Sequence, residues 1–261
     1  MSDRPSNPHI PRIDVLGVGI SAINMATAVD EISRWVRDGE QHYVCVTGVH
    51  GVMESQRDPE MRRIFNDSGL TTPDGMPMVW AGHRAGAAEM QRVCGRDLML
   101  SLCAVAVENG WSSYFYGGAV GVAELLAQRL TMRFPGLRIA GCLSPPFRPL
   151  SPDEDREIVA TINGARPDLL WVSLGVPKQE RWMASHLGRV HAPALLGVGA
   201  AFDMHAGLVP HAPMWMQRTG FEWLYRLAHE PRRLWRRYLS NNPRFLLEIT
   251  RRPPVLLTEH Q

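Results

Sequence analysis

The 261-residue chain has a single lysine, Lys178, only four cysteines, and no apolar run approaching the ~20 residues that a membrane-spanning helix needs. Each scarcity excludes something. Without a long apolar run, any contact with a membrane has to be made from its surface. Cys45, Cys94, Cys103 and Cys142 stand far apart in apolar contexts with no C-x-x-C pair. That speaks against a zinc site and for buried free thiols in a reducing, cytoplasmic compartment. The stretch from Met1 to Arg12 is polar and proline-rich, without the apolar core of a signal peptide. Neither sign of charge is in large excess, since 28 basic and 26 acidic residues leave +2. With 45% hydrophobic and 21% charged residues, the disordered, collagenous and coiled-coil classes fail on composition. A chain of this length buries roughly 70–75% of its unfolded surface and needs no disulfide or metal staple.

Arginine supplies all the remaining basic charge, and it is unevenly spread. From Arg218 to Arg252 there are nine arginines against Glu222, Glu230 and Glu248, so nine minus three gives this stretch +6 and leaves −4 for the rest. A near-neutral body therefore carries a cationic end. Phe221, Leu224, Trp235, Tyr238 and Leu239 lie among these arginines. Such a mixture suits an anionic lipid surface or simple packing with solvated guanidiniums, and no recognised nucleic-acid module accompanies it.

Short apolar runs alternate with helical patterns. Residues 13–17, 42–47, 113–116, 137–141, 168–174 and 193–198 read as strands, and 24–37, 59–67, 96–109, 120–134, 152–163 and 177–187 as helices. The alternation predicts an α/β fold with a mostly parallel sheet and helices on both faces. After about Val209 the pattern becomes aromatic, arginine-rich and helical, broken by Pro213, Pro231, Pro243 and Pro253. The expected organisation is a flexible arm (1–12), an α/β domain (13–209) and a basic helical appendage (210–261).

Several predicted strands end in small or polar residues: Thr47-Gly48, Gly117-Gly118, Leu174-Gly175 and Gly197-Val198-Gly199. In open parallel sheets ligands bind beyond such ends, where Gly118, Gly175 and Gly199 would let backbone N–H groups approach phosphate. Closing a turn is the other reading of each glycine. Val15-Leu16-Gly17-Val18-Gly19 resembles the opening of a dinucleotide fingerprint, but residue 22 is alanine and no ribose-binding acid follows. Asp153-Glu154-Asp155 spells a metal-binding D-x-D, yet Ser151-Pro152-Asp153-Glu154 is better read as a capping box with proline at the first helical position. Lys178 at a helix start invites an anion beside it or is simply solvated. Asp74, in Pro73-Asp74-Gly75, is either turn chemistry or a carboxylate available as a general base.

Taken in order, Pro73-Asp74-Gly75, Gly95-Arg96-Asp97-Leu98, Gly175-Val176-Pro177-Lys178-Gln179-Glu180, Gly199-Ala200-Ala201-Phe202-Asp203, Ala212-Pro213-Met214-Trp215, Glu222-Trp223-Leu224-Tyr225-Arg226 and Glu230-Pro231-Arg232-Arg233 resemble the WecG/TagA/CpsF family of bacterial glycosyltransferases, over about residues 13–239. The resemblance implies a Rossmann-like core and a membrane-associated, inverting, metal-independent transferase without a cofactor. Its substrates would be a nucleotide sugar, usually UDP-linked, and a sugar on undecaprenyl diphosphate. The inner face of the cell membrane would be its place, nucleic acid would not be a partner, and a homo-oligomer stays open. Carried over, Asp74 is the catalytic base, Thr47 an active-site threonine and Gln179 a donor-pocket residue, with Gly75 beside the base. Arg218, Arg226, Arg232 and Arg233 are the candidates for holding the leaving diphosphate, because guanidinium forks suit phosphate. Asp97 and Asp203 would orient ligand hydroxyls or serve the fold. Two departures stand out: His50 where many members have asparagine, and His211 before Ala212-Pro213 where many have arginine. A nicotinamide-dependent oxidoreductase and a non-catalytic nucleotide-sugar-binding module are the competing classes.

Overall fold

A computed structural model describes residues 10–257, apart from the side chain of Arg233. The N-terminal part runs β1 (Arg12–Val15), β2 (Val18–Ser21), α1 (Met25–Asp38), β3 (His42–Thr47), α2 (Val49–Ser55), α3 (Pro59–Asn66), β4 (Leu70–Pro73) and α4 (Met76–Arg84). The middle runs α5 (Gly95–Asn109), β5 (Ser112–Gly117), α6 (Val122–Arg133), β6 (Arg138–Leu143), α7 (Pro152–Ala165), β7 (Leu169–Ser173), α8 (Lys178–His186), β8 (Ala194–Gly197) and α9 (Ala201–His205). Three helices and a strand follow: α10 (Met214–Arg218), α11 (Glu222–His229), α12 (Pro231–Arg251) and β9 (Val255–Leu257).

Six strands form a parallel sheet in the order β4-β3-β8-β7-β5-β6, and β2-β1-β9 form an antiparallel one. The chain divides into two compact units, one of residues up to 28, 45–94 and 211 onward, the other of residues 29–44 and 95–210.

In the second unit the central strands are buried along their length: Leu169, Leu170, Trp171 and Val172 of β7 and Ala194, Leu195 and Leu196 of β8 are all fully covered. Strands covered on both faces read as continuous apolar runs, which is why the sequence predicts them well. Asp168 accepts from the Ser112 N–H at 2.7 Å and its hydroxyl at 2.9 Å, pinning the starts of β5 and β7 together. The capping box is present: Ser151 accepts from the Glu154 N–H, and Glu154 accepts from the Ser151 N–H. The D-x-D acids are spent on the fold. Asp153 pairs with Arg156, Glu154 with Arg148, and Asp155 with His186 and Arg189. Among the cysteines, all free, burial pushes the Cys103 thiol up to about 12 and Cys142 to about 11, which keeps both protonated.

In the first unit, α3 opens with Asp58 as N-cap, accepting from the Glu60 and Met61 N–H groups, and Pro59 at the first helical position. Here the doubt about the dinucleotide fingerprint is borne out and one sequence expectation fails. Leu16-Gly17 is a two-residue hairpin turn with φ of 55° and 85°, joining antiparallel β1 and β2. Two consecutive positive φ values make a hairpin turn, not the strand-to-helix loop of a dinucleotide fingerprint. Pro243 does not break the C-terminal helix but lies inside the 21-residue α12. The missing hydrogen bond is outweighed by tertiary packing, since Leu234, Asn241 and Phe245 bury one face of the helix. Beyond it, β9 pairs with β1 at Ile13↔Leu256, returning the end of the described chain to the small sheet.

Candidate active site

In the first unit the site is built on the ends of β3 and β4. The Asp74 N–H donates to the Thr47 carbonyl at 2.9 Å, joining the two strand ends. A Cβ at residue 48 would lie 2.6 Å from the Asp74 carbonyl oxygen, so only glycine permits this approach. Gly75, at φ 89° and ψ 153°, turns the chain into α4 through a region closed to other residues. Thr47 is 2% exposed, and its hydroxyl oxygen is buried without a hydrogen-bond partner. The Val93 N–H donates to Pro73 and the Thr72 hydroxyl to Val93, which fixes the segment carrying Arg92 beside this turn.

Charges converge on Asp74. Burial and the neighbouring Glu222 raise its pKa above the ordinary aspartate value, while Arg92, Arg226 and Arg237 pull it down. Burial prevails, giving a carboxylate that holds a proton more readily than an exposed one. Arg92 pairs with Glu222 and donates to the Gln217 Oε1 at 3.0 Å and the Cys94 Sγ at 3.2 Å. Gln217 in turn donates to the Ala212 carbonyl at 2.7 Å. Tyr238, whose hydroxyl is pushed up by burial, feels the charges of Asp74, Glu222, Arg226 and Arg237. Its ring lies 5.7 Å from that of Trp223.

Of the four arginines nominated from sequence, Arg226 is half-buried within this group and its Nε is buried without a partner. Arg218 and Arg232 are exposed, and the Arg233 side chain lies outside the described residues. Arg92, Glu222, Arg237 and Tyr238 were not among the nominated residues. Helical phase could have found Arg237, which stands three residues after Leu234 and four before Asn241, on the flank of the face those two bury; Arg232 and Arg236 point the other way. Nothing local marks Arg92.

His50 is not at the open surface. Its Nδ1 lies 3.0 Å from the Asn241 Nδ2, and burial, followed by the charges of Arg237 and Arg57, lowers its pKa to about 3. His211 is exposed.

In the second unit the loops after β5, β7 and β8 are tied to one another. The Gly118 N–H donates to the Ser173 carbonyl at 2.9 Å, and the Ser173 hydroxyl to the Gly199 carbonyl at 2.8 Å. Gly117, at φ 122°, comes so close to Ser173 that a Cβ would lie 2.2 Å from its carbonyl oxygen. Gly175 leads through the cis Val176–Pro177 bond into α8, whose first residue, Lys178, is exposed. Gln179 is 2% exposed; its amide nitrogen donates to Glu180 at 2.9 Å, and its Oε1 is buried without a partner near Gly199. Asp97 pairs with Arg96 at 2.7 Å. Asp203 sits half-buried in α9, its carbonyl accepting from Leu208 at 2.8 Å. The structure thus collects Gly118, Gly175, Gln179 and Gly199 around three strand ends, as an assembly of glycines and one unsatisfied acceptor.

A sequence model described as the glycosyl transferase WecG/TagA/CpsF family matches residues 13–256. Two similar proteins are named N-acetylglucosaminyldiphosphoundecaprenol N-acetyl-beta-D-mannosaminyltransferase. The one from Bacillus spizizenii is 31% identical over 187 residues, 72% of this chain and 70% of that protein. The one from Staphylococcus aureus strain MW2 is 24% identical over 245 residues, 92% of each chain.

Proposed function

Because the chain belongs to the WecG/TagA/CpsF family of glycosyltransferases, we propose that it moves one sugar from a UDP-linked donor to a sugar carried on undecaprenyl diphosphate, inverting the anomeric carbon without a divalent metal. The observation that carries the reading is Asp74, held at a strand-end turn with a raised pKa among three arginines. A base with its pKa raised toward the working pH takes a proton more effectively while remaining ionised enough to act. Asp74 removes the proton of the acceptor hydroxyl as its oxygen bonds to the anomeric carbon. The bond from that carbon to the diphosphate breaks, and the nucleoside diphosphate leaves with the electron pair. Arg226, with Arg92 and Arg237, stabilises that departing charge, the part a metal ion plays in other transferases. Thr47 offers a hydroxyl with no internal partner to the reacting groups. In the second unit, where the Gly118 N–H is already taken by the Ser173 carbonyl, Gly175 and Gly199 remain the candidates for offering backbone N–H groups to a nucleotide, with Lys178 as an exposed charge and the Gln179 Oε1 as an acceptor for a ligand N–H or O–H.

The exposed apolar residues Met214, Trp215, Phe221, Leu224, Trp235 and Leu239 lie interspersed with Arg218, Arg232 and Arg236. No helix among the described residues is long and apolar enough to cross a membrane. We assign these side chains to peripheral contact with the anionic inner face of the cell membrane, where the acceptor lies.

The test is a transfer assay in mild detergent with EDTA, offering a panel of UDP-sugars and undecaprenyl diphosphate bearing one sugar. Transfer by wild type and its loss in Asp74→Asn are expected. Tight UDP-sugar binding with no transfer to any acceptor would make the protein a binding module instead.

A further inference from the structure

We infer that Asn241 is a positioning residue: through His50 and Arg57 it docks α12 on α2 in the register that brings Arg237 and Tyr238 to Asp74. The inference deepens the reading of Asp74 as the base and rests on it.

Asn241 is 2% exposed in a helix face otherwise buried by Leu234 and Phe245. Burial alone would be served by leucine, and a buried amide is tolerated only when its hydrogen bonds are made. Here both ends are engaged by α2 and its C-terminal end. The Arg57 Nη2 donates to the Asn241 Oδ1 at 3.2 Å, and the Asn241 Nδ2 lies 3.0 Å from the His50 Nδ1. Because a guanidinium only donates, it fixes which end of the amide is oxygen, so Nδ2 donates to His50 and His50 accepts. Glu54 completes the cluster, holding Arg57 at 2.8 Å and lying 3.9 Å from the imidazole. With its pKa lowered to about 3, His50 keeps the accepting lone pair throughout the neutral range.

The pin also sits where the helix most needs one. Pro243 has no N–H to donate to the Leu239 carbonyl, and Asn241 lies within the turn that loses this bond. Arg237 and Tyr238 stand four and three residues before Asn241, one turn along the same side. Arg237 bears electrostatically on both His50 and Asp74, and Tyr238 shares the environment of Asp74. The groups facing Asp74 are thus Arg92 before α5, Glu222 and Arg226 on α11, and Arg237 and Tyr238 on α12. Releasing Asn241 loosens only the last two.

The experiment follows the Asp74 carboxyl by carbon-13 NMR titration, its signal assigned with Asp74→Asn, in wild type, Asn241→Ala, Arg237→Gln and the double variant. Withdrawing a cation from a carboxylate raises its pKa. Asn241→Ala should therefore move the midpoint up by about one pH unit, in the same direction as Arg237→Gln, and the double variant should move it no further than Arg237→Gln alone. In the transfer assay kcat should fall about tenfold with the donor KM within about threefold, the pattern of a transition-state effect. His50→Leu, which keeps the packing and removes the acceptor, is the second variant should Asn241→Ala fail to fold, with a smaller shift in the same direction. An unmoved midpoint in a folded variant, or additive shifts in the double variant, would reduce Asn241 to a packing residue. The NMR reading needs no substrate, so failure of the pin and failure of the transferase reading are separate results.

Discussion

The strand-end loops of the second unit and the charge cluster of the first are built by opposite means. The loops after β5, β7 and β8 are uncharged and are tied to one another through backbone groups, the Gly118 N–H to the Ser173 carbonyl and the Ser173 hydroxyl to the Gly199 carbonyl, with glycines permitting the close approach. The cluster around Asp74 draws on residues 74, 92, 222, 226, 237 and 238, brought together by the packing of α10–α12. Backbone geometry makes the first rigid and tolerant of side-chain change elsewhere. Side-chain charge makes the second tunable and dependent on each helix holding its place.

The comparison can be broken first at Asp74. Asp74→Asn should lower the transfer rate by about 10²–10⁴-fold, the usual worth of a general base, with melting temperature nearly unchanged. Gly117→Ala should do the reverse, because its Cβ would fall 2.2 Å from the Ser173 carbonyl at a φ of 122°. A loss of about 3 kcal/mol or more in urea unfolding is expected, with activity declining only as folded protein is lost. Arg92→Met tests both terms together. It strips Glu222 and Gln217 of a partner at a pair whose side chains are 12% and 27% exposed, which should cost about 1–3 kcal/mol and also lower kcat.

Acid sensitivity should reside in part at His50. Its pKa is about 3 in the folded chain against an ordinary 6.5, so the unfolded chain binds the proton between these values and the folded chain does not. Stability is therefore lost as pH falls from about 6.5 toward 3, and His50→Asn should reduce that loss in denaturant titrations at pH 7 and pH 4.5. The smallest effect is expected at the exposed Arg232. Arg232→Ala should change stability by less than about 0.5 kcal/mol while weakening binding to phosphatidylglycerol vesicles measurably.

Much of this architecture could be read in the chain itself. The strands of the parallel sheet stood out because Leu169–Ser173 and Ala194–Gly197 are short apolar runs between helices, and the start of α7 because a capping box is a local pattern. β4 escaped notice since Leu-Thr-Thr-Pro carries little apolar signal although all four residues are buried. The hairpin at Leu16-Gly17 agrees with the alanine at residue 22 and the missing ribose-binding acid, which count against a glycine fingerprint in the sequence, but the turn itself is not visible there because its backbone angles are not written in residue names. Asp74 was legible on its Pro-Asp-Gly turn and Arg226 within its motif. Arg92 was not, because its contact with Glu222 spans 130 residues and depends on tertiary packing.

The most direct test of the account is the pH dependence of kcat/KM for sugar transfer, compared between wild type and Asp74→Asn. A base with a raised pKa predicts a wild-type rate that climbs with pH through a midpoint above 3.8, the ordinary aspartate value, and a variant in which that limb is gone and the rate is uniformly low. A limb that persists in Asp74→Asn at near wild-type rate would contradict it and assign the proton transfer to another group.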